Sequence, residues 1–136
     1  MGLAERRATK EFQDNRLESL KEKIFKDAGF KFEIEVNWST LEVDRFSHLY
    51  DECWPKVYFQ PLAKAFKEMC SEDFAREVIQ ESLKKVVIQN YSDNHRSDKF
   101  AEFKSGTLTL NHSPITNVDQ VDDRAFNIQH VVEKEL

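Results

Sequence analysis

The nine residues "FKFEIEVNW" at positions 30–38 constrain the fold most, because apolar and polar side chains alternate along their whole length. Successive side chains of a strand point to opposite faces, so this pattern predicts a β-strand with one face against a core and one face in water. The apolar side chains that share the first face are Phe30, Phe32, Ile34, Val36 and Trp38.

The segment before this strand follows a helical period instead. Apolar side chains lie at three-and-four spacing at Leu17, Leu20, Ile24 and Ala28. Gly29 stands where the C-terminus of a helix favours a left-handed residue. We therefore predict one long helix over residues 3–28, whose N-terminal half is poor in large apolar side chains and is expected to be exposed or to dock on a partner.

Three helical segments are expected between the first strand and the second. Ser39 with Glu42 matches a capping box, and Ser71 is a suitable N-cap for the last of the three segments. Apolar residues continue at helical spacing from position 46 to position 69, through both prolines of "ECWPKVYFQP" at 52–61.

Pro55 is expected to bend this helical region. The residue before a proline is disfavoured in helical geometry, so Trp54 should leave the helix and the next segment should begin at Pro55. We expect Trp54, Tyr58 and Phe59 to pack around the bend, with Cys53 as a buried thiol.

The second half of the chain predicts three strands and a final helix. "KVVIQNY" at 85–91 is an apolar, β-branched run typical of a central strand, and "FAEFKSGTLTL" at 100–110 predicts a hairpin turning at Ser105 and Gly106. A two-residue loop would pair Phe103 with Leu108, whereas a three-residue loop with a bulge would shift the register; the sequence leaves both open. Residues 119–135 predict a helix with Asp119 as its cap and Phe126, Val131 and Val132 as its apolar side chains.

Together these elements predict a single α+β domain over residues 1–136. It has about four strands: the first follows the long helix, and the other three form a meander after the three-helix segment, with the helices packed on the sheet. A chain of 136 residues fits one domain.

The charge and the hydropathy of the chain indicate where it is located and which partners it binds. The net charge of −5 makes a nucleic-acid binder unlikely, because phosphate contacts need a basic field. No stretch approaches the ~20 apolar residues of a membrane helix, and the charged N-terminus does not resemble a signal peptide. We expect a cytoplasmic protein with no membrane contact, in which the two cysteines, Cys53 and Cys70, are reduced.

The scarcity of glycine excludes several enzyme classes. With glycines only at positions 2, 29 and 106, the chain lacks both the phosphate-binding loop and the dinucleotide fingerprint, which need several residues without a Cβ. Serine-hydrolase elbows, zinc-binding helices and paired cysteine motifs are also missing. No metal and no cofactor is predicted.

Two weak clusters of reactive side chains remain. In "HLYDEC", His48 shares a helix face with Asp51 and Glu52, and the Cys53 thiol follows; these could bind a metal or tune a thiol, although a solvated face beside a buried cysteine is the more ordinary interpretation.

The second cluster lies at the open end of the hairpin. There His95, Asp98 and His112 could hold an anion or a metal, or place Ser113 beside a base, although an ordinary loop has the same composition.

Three hypotheses of function follow. The leading one is a small cytosolic binding or interaction module without catalytic activity, as a homodimer or with another protein, using aromatic side chains at Trp38, Tyr50, Trp54 and Tyr58. The alternative is an enzyme with a site around His95, Asp98 and His112 or around His48 and Cys53. The weakest is a single-stranded nucleic-acid surface, which requires exposed rings at Phe30, Phe32 or Trp38.

Overall fold

Helices and short strands succeed one another along the chain, and the computed structural model describes residues 2–136. The helices are α1 (Leu3–Asn15), α2 (Leu17–Ala28), α3 (Trp38–Leu41), α4 (Tyr50–Trp54), α5 (Gln60–Met69), α6 (Asp73–Ser82) and α7 (Val121–Glu133). The strands are β1 (Glu33–Val36), β2 (Lys85–Gln89), β3 (Ala101–Lys104) and β4 (Thr107–Asn111). This confirms the predicted α+β class and the four strands. None of the helices in residues 2–136 combines the length and the apolar character that a membrane crossing requires.

The strands form one mixed sheet in the order β1-β2-β4-β3. β2 runs parallel to both β1 and β4, and only β3 is antiparallel to its neighbour. The predicted meander is therefore wrong. After residues 90–100 the chain enters β3 at the edge of the sheet, and β4 then takes the position between β2 and β3. The prediction of a central β2 is confirmed: Val86 and Ile88 are fully buried, and Val87 on the opposite face is 8% exposed.

The hairpin has the two-residue loop. Phe103 pairs with Leu108 and Ala101 with Leu110, so one apolar face is continuous across β3 and β4. Ser105 and Gly106 have φ angles of 53° and 83°, as a primed hairpin turn requires. A Cβ on Gly106 would also lie 2.8 Å from the Ser82 carbonyl oxygen, so glycine is needed there for both reasons.

The N-terminal helix is interrupted, contrary to the prediction of one helix over residues 3–28. Arg16, at φ −121° and ψ −35°, separates α1 from α2, and its N–H still donates to the Phe12 carbonyl. The break lets α1 turn inward: Phe12 is fully buried, so this half of the segment packs on the chain's own core. Gly29 ends α2 in the left-handed conformation, as predicted.

Pro55 does not bend the chain out of helical geometry, and that prediction is wrong. Trp54 keeps helical angles of −61° and −43°, and residues Pro55–Phe59 form a π-helical turn that leads directly into α5. Pro55 fits at the first position of this turn, and the Gln60 N–H donates to the Pro55 carbonyl five residues back, which is the wide hydrogen bond of a π-helical turn. Trp54, Tyr58 and Phe59 are buried, as expected.

Three predicted caps have other partners. Glu42 accepts a hydrogen bond from Thr9 Oγ1 at 2.6 Å, and no capping box forms with Ser39, which lies inside α3. The Ser71 hydroxyl donates to the Glu68 carbonyl, and Glu72 precedes α6. Asp119 forms an ion pair with Lys56 at 3.1 Å, and α7 begins after Gln120.

Of the three apolar side chains predicted for the core face of α7, Val131 and Val132 are buried as expected and Phe126 is not. Phe126 is 70% exposed, whereas Arg124, Ala125, Ile128, Val131 and Val132 are buried. Helical spacing from position 124 to positions 128 and 131 accounts for this face.

The helices cover one face of the sheet. The side chains on that face are Ile34, Val86, Ile88, Phe103, Leu108 and Leu110, all buried. The opposite face alternates with it and carries Glu33, Glu35, Lys85, Glu102 and Lys104, which are exposed or half-buried. The charged side of the first strand therefore faces water, as its alternation predicts.

Candidate functional site

The three side chains of the loop hypothesis do not meet in one site. His95 and Asp98 are exposed, and each has another partner: Asp93 lies 3.4 Å from His95, and Arg96 holds Asp98. The hydrogen bond from Arg96 lowers the pKa of Asp98, so this carboxylate is a stable anion and not an acid. His112 is fully buried.

His112 lies in a buried polar cluster that we define by four side chains, Tyr58, Phe100, His112 and Arg124. Its Nδ1 lies 2.6 Å from the Ser113 carbonyl oxygen, which can only accept, so Nδ1 carries the proton. Burial lowers the pKa of His112, and its Nε2 has no hydrogen-bond partner among residues 2–136. A neutral imidazole with a free lone pair could act as a base, but His112 is fully buried, so no substrate reaches it.

Arg124 is the member of this cluster that the sequence reasoning missed. The guanidinium is fully buried and donates to three backbone carbonyls, those of Asn117 at 2.7 Å, Val118 at 2.6 Å and Lys56 at 3.2 Å. It also lies 5.8 Å from the centre of the Phe100 ring. Burial lowers its pKa. These contacts tie the β4–α7 loop to the π-helical turn, which is a structural role.

Tyr58 joins the same cluster to the loop. Its hydroxyl donates to the His112 carbonyl at 2.5 Å, and burial raises its pKa well above the ordinary value. Tyr58 was considered for an interface, and here it is fully buried.

The two residues of the thiol hypothesis, His48 and Cys53, differ in their exposure to solvent. His48 is exposed on a short 3₁₀ turn and stacks on the Phe46 ring, while Cys53 points inward and is 6% exposed. Burial, with a smaller effect from Glu52, raises the pKa of the Cys53 thiol and lowers its reactivity at neutral pH. No group of three metal-binding side chains forms within residues 2–136.

Trp54 and Tyr50 form the centre of an aromatic cluster with Phe12, Trp38 and Phe59. The Tyr50 ring stacks on Trp54 with 4.2 Å between centroids, and Phe12 meets Trp54 edge-on at 5.1 Å. Trp54 and Tyr50 are at most 1% exposed, so they contribute to the core and not to an interface. Trp38 is half-buried against Phe12 and Trp54.

The rings proposed for stacking nucleic-acid bases are used within the fold. Phe32 stacks on Phe66 at 4.9 Å, and Phe30 packs against Phe32 and Phe66. Phe30, Phe32 and Trp38 are half-buried and pack against the core, so they are not the exposed rings that base stacking requires.

A surface groove beside α6 brings exposed large apolar side chains together with further apolar residues. Its apolar lining consists of Met69, Phe74, Ala75, Val78, Ile79 and Leu136, and its volume is about 490 Å³. Phe74 is 71% exposed and Leu136 is 49% exposed. We call this site the α6 groove.

The charged residues that line the α6 groove are all acidic: Glu68, Glu72 and Glu133. The nearby Arg76 is engaged with Asp73 at 3.2 Å. The groove therefore combines an apolar floor with a negative rim.

A second groove, between α2 and α5, differs in the charge of its rim. Its lysines Lys23 and Lys64 form ion pairs with Asp27 and Asp122, and its aromatic ring, Phe59, is buried. Lys67 and Glu68 also line this groove, so its rim carries both signs of charge, whereas the rim of the α6 groove is acidic.

Comparison of the chain with protein-family models, with curated proteins and with solved structures gave no match. The functional argument therefore rests on the α6 groove and on the sheet described above.

Proposed function

We propose that this chain is a small interaction module that binds a protein segment in the α6 groove and has no catalytic activity of its own. The observation that carries the proposal is the exposure of Phe74, at 71%, inside a groove lined by further apolar side chains. Isolated exposed apolar residues are ordinary, but a contiguous patch with a polar rim is typical of an interaction site.

The negative charge of the rim favours a partner segment that is positively charged. Three glutamates line the groove with no lysine or arginine among the lining residues, so an incoming segment gains from positive charge around its apolar anchors. We propose a basic amphipathic helix, with Leu- or Phe-type side chains at three-and-four spacing and Lys or Arg beside them.

The same rim disfavours a symmetric homodimer through this groove. A twofold axis would place the acidic rim of one copy against the identical rim of its partner, which is unfavourable. A separate protein is therefore the proposed partner, in the cytoplasm, where the two free cysteines are expected to stay reduced.

The test uses a fluorescent amphipathic peptide of leucine and lysine, about 14 residues long, near the length at which isolated helices begin to form. We expect the Phe74→Ser variant to bind this peptide at least about tenfold more weakly than the unmodified chain, because an aromatic anchor is lost. Phe126→Ser is the matched control, since Phe126 is 70% exposed on α7 and outside the groove. Equal loss in both variants, or in neither, would contradict the proposal.

The charge of the partner is tested separately. Glu72→Lys should weaken binding of the lysine peptide and strengthen binding of a matched leucine and glutamate peptide. Sedimentation of the unmodified chain in the same buffer reports on self-association; a dimer abolished by Phe74→Ser would mean that a second copy occupies the groove.

A further inference from the structure

The two edges of the sheet are protected to different degrees. At the β3 edge, the Asn127 side chain accepts a hydrogen bond from the Ala101 N–H at 2.7 Å and donates to the Asp98 carbonyl at 2.9 Å, so α7 is tied to this edge. β1 forms the other edge and pairs only with β2. An unprotected edge is a template on which another strand can pair.

The register shows which backbone groups of β1 point outward. Ile34 lies opposite Val86 and Val36 opposite Ile88, and the Asn37 N–H donates to the Ile88 carbonyl at 2.9 Å. In a parallel ladder, alternate residues bond to the same neighbour, so Glu33 and Glu35 share the phase of Asn37 and bond to β2. The N–H and C=O groups of Ile34 and Val36 therefore face away from the sheet.

No hydrogen bond to another part of residues 2–136 satisfies these four outward groups. These groups belong to alternate residues along the edge of the sheet. Among residues 2–136, no further strand lies beside this edge. We propose that this edge accepts an extended, basic segment of a partner protein as a fifth strand. This surface is separate from the α6 groove, and the inference does not depend on the function proposed for that groove.

The side chains of β1 define what the added strand must carry. Glu33 and Glu35 are exposed on the uncovered face, and only Glu35 has a nearby cation, with Lys85 Nζ at 3.7 Å. Cross-strand neighbours of opposite charge stabilise a pair of strands. The added segment therefore carries Lys or Arg at alternate positions on this face and apolar side chains beside Ile34 and Val36 on the other.

A second copy of β1 is a poor fit to this edge. Antiparallel pairing that uses the outward groups of Ile34 sets Ile34 opposite Ile34 of the second copy, or Ile34 opposite Val36. Pairing of Val36 with Val36 would place Ile34 opposite Trp38, which lies in α3, and would leave the outward groups of Ile34 unpaired. The first register sets Glu33 against Glu35, and the second sets Glu35 against itself. Like charges directly opposite each other destabilise paired strands, so the edge disfavours self-association and favours a basic partner.

The first experiment measures amide hydrogen exchange in the free, full chain. We expect the Ile34 and Val36 amides to exchange faster than those of Glu35 and Asn37, because the latter donate into the sheet. Slow exchange at Ile34 and Val36 at every protein concentration would overturn the proposal, because the edge would then already be closed. If the Ile34 and Val36 amides are protected only at high protein concentration, a second copy of the chain occupies the edge, and the proposal of a separate basic partner would be overturned.

The second experiment uses a fluorescent peptide of alternating lysine and valine as the probe. Glu33→Lys with Glu35→Lys should weaken its binding at least about tenfold, while Glu102→Lys on the same face at the β3 edge should change it by less than about twofold. Phe74→Ser, which removes the anchor of the α6 groove, should leave it unchanged. Loss of binding in Phe74→Ser with retention in the double variant would place the peptide in the groove and overturn the edge proposal.

The third experiment separates strand pairing from charge attraction alone. Two versions of the peptide carry N-methyl groups, one on every valine amide and the other on every lysine amide. Since alternate residues of an added strand bond to the edge, one version should lose binding and the other should keep it. Equal binding by both versions would overturn the proposal.

Discussion

The interior contains two buried clusters that are held together by different forces. The aromatic cluster around Trp54 consists of rings in contact, whereas in the buried polar cluster Arg124 and Tyr58 donate hydrogen bonds to backbone carbonyls. Tyr50 and Trp54 of the first cluster and all four members of the second are at most 1% exposed. These side chains therefore support the fold, whereas Phe74 of the α6 groove is exposed to solvent.

The largest expected effect is on the aromatic cluster. Trp54→Ala should lower the free energy of unfolding by about 3–5 kcal/mol, because a fully buried indole leaves a large cavity among Tyr50, Phe12 and Trp38. Urea unfolding followed by circular dichroism measures the change. The same substitution at half-buried Trp38 should cost less. A loss below about 1 kcal/mol at Trp54 would contradict the importance of this cluster.

An intermediate effect is expected at the buried polar cluster. Arg124→Met keeps the aliphatic volume but leaves the carbonyls of Asn117 and Val118 without their donor, and should cost about 1–3 kcal/mol. The loss of unfolding free energy is limited because the substitution also removes the buried guanidinium charge. Arg16→Met is the control: Arg16 donates to the Asp51 carbonyl but is half-exposed, so its loss should be smaller. The reverse order of the two losses would be inconsistent with the loop-tying role.

The polar cluster should also make stability depend on pH. Burial lowers the pKa of His112 in the folded state, so below its ordinary value near 6.5 the unfolded chain binds the proton more readily. Stability should therefore fall as pH drops below about 6.5, with a slope of at most about 1.4 kcal/mol per pH unit from this residue.

His112→Asn should remove this contribution, whereas exposed His95→Gln should not. Unfolding curves between pH 7 and about 5, compared between the two variants, measure it. Identical slopes in both variants would argue against a titrating, buried His112.

The smallest effect concerns the thiol beside the aromatic cluster. Cys53 and Cys70 are each 6% exposed, and burial raises the pKa of the Cys70 thiol to about 11. In the folded protein both should react with a thiol reagent at least about tenfold more slowly than in urea. Labelling of Cys53 at the unfolded rate would restore the hypothesis of a reactive site around His48 and Cys53.

Local patterns predicted local structure well. The alternation around Ile34 predicts the charged outer face of β1, although the strand itself is limited to Glu33–Val36, because Phe30 and Phe32 pack on Phe66 and Trp38 begins α3. The β-branched run of β2 predicts its central position. Hydrophobic periodicity is a local signal, and these features depend on little else.

Features that depend on distant residues were not predicted. The place of β4 between β2 and β3 follows from long-range pairing, and the break at Arg16 follows from the burial of Phe12 in the aromatic cluster. The π-helical turn that begins at Pro55 is defined by a backbone hydrogen bond between residues five apart, which the spacing of the apolar side chains did not reveal. For α7 a signal did exist: Arg124 shares a face with Ile128 and Val131, and only its charge concealed its burial.

The prediction of candidate sites also failed where it depended on residues distant in the sequence. Sequence reasoning selected reactive residue types, yet the fold separates His95 and Asp98 from His112 by exposure, and Phe126, which was predicted for the apolar face of α7, is 70% exposed. Burial is decided by the whole fold, so a single helix pattern does not reveal which apolar side chain stays outside.

The most direct test of the account maps the amphipathic leucine and lysine peptide onto the unmodified chain by NMR chemical-shift changes. The account predicts that the largest changes fall on Phe74, Ala75 and Val78 of α6, with none around His112. Changes centred on the loop that joins β2 to β3 and on His112, with α6 unaffected, would contradict the proposal that this chain acts through the α6 groove.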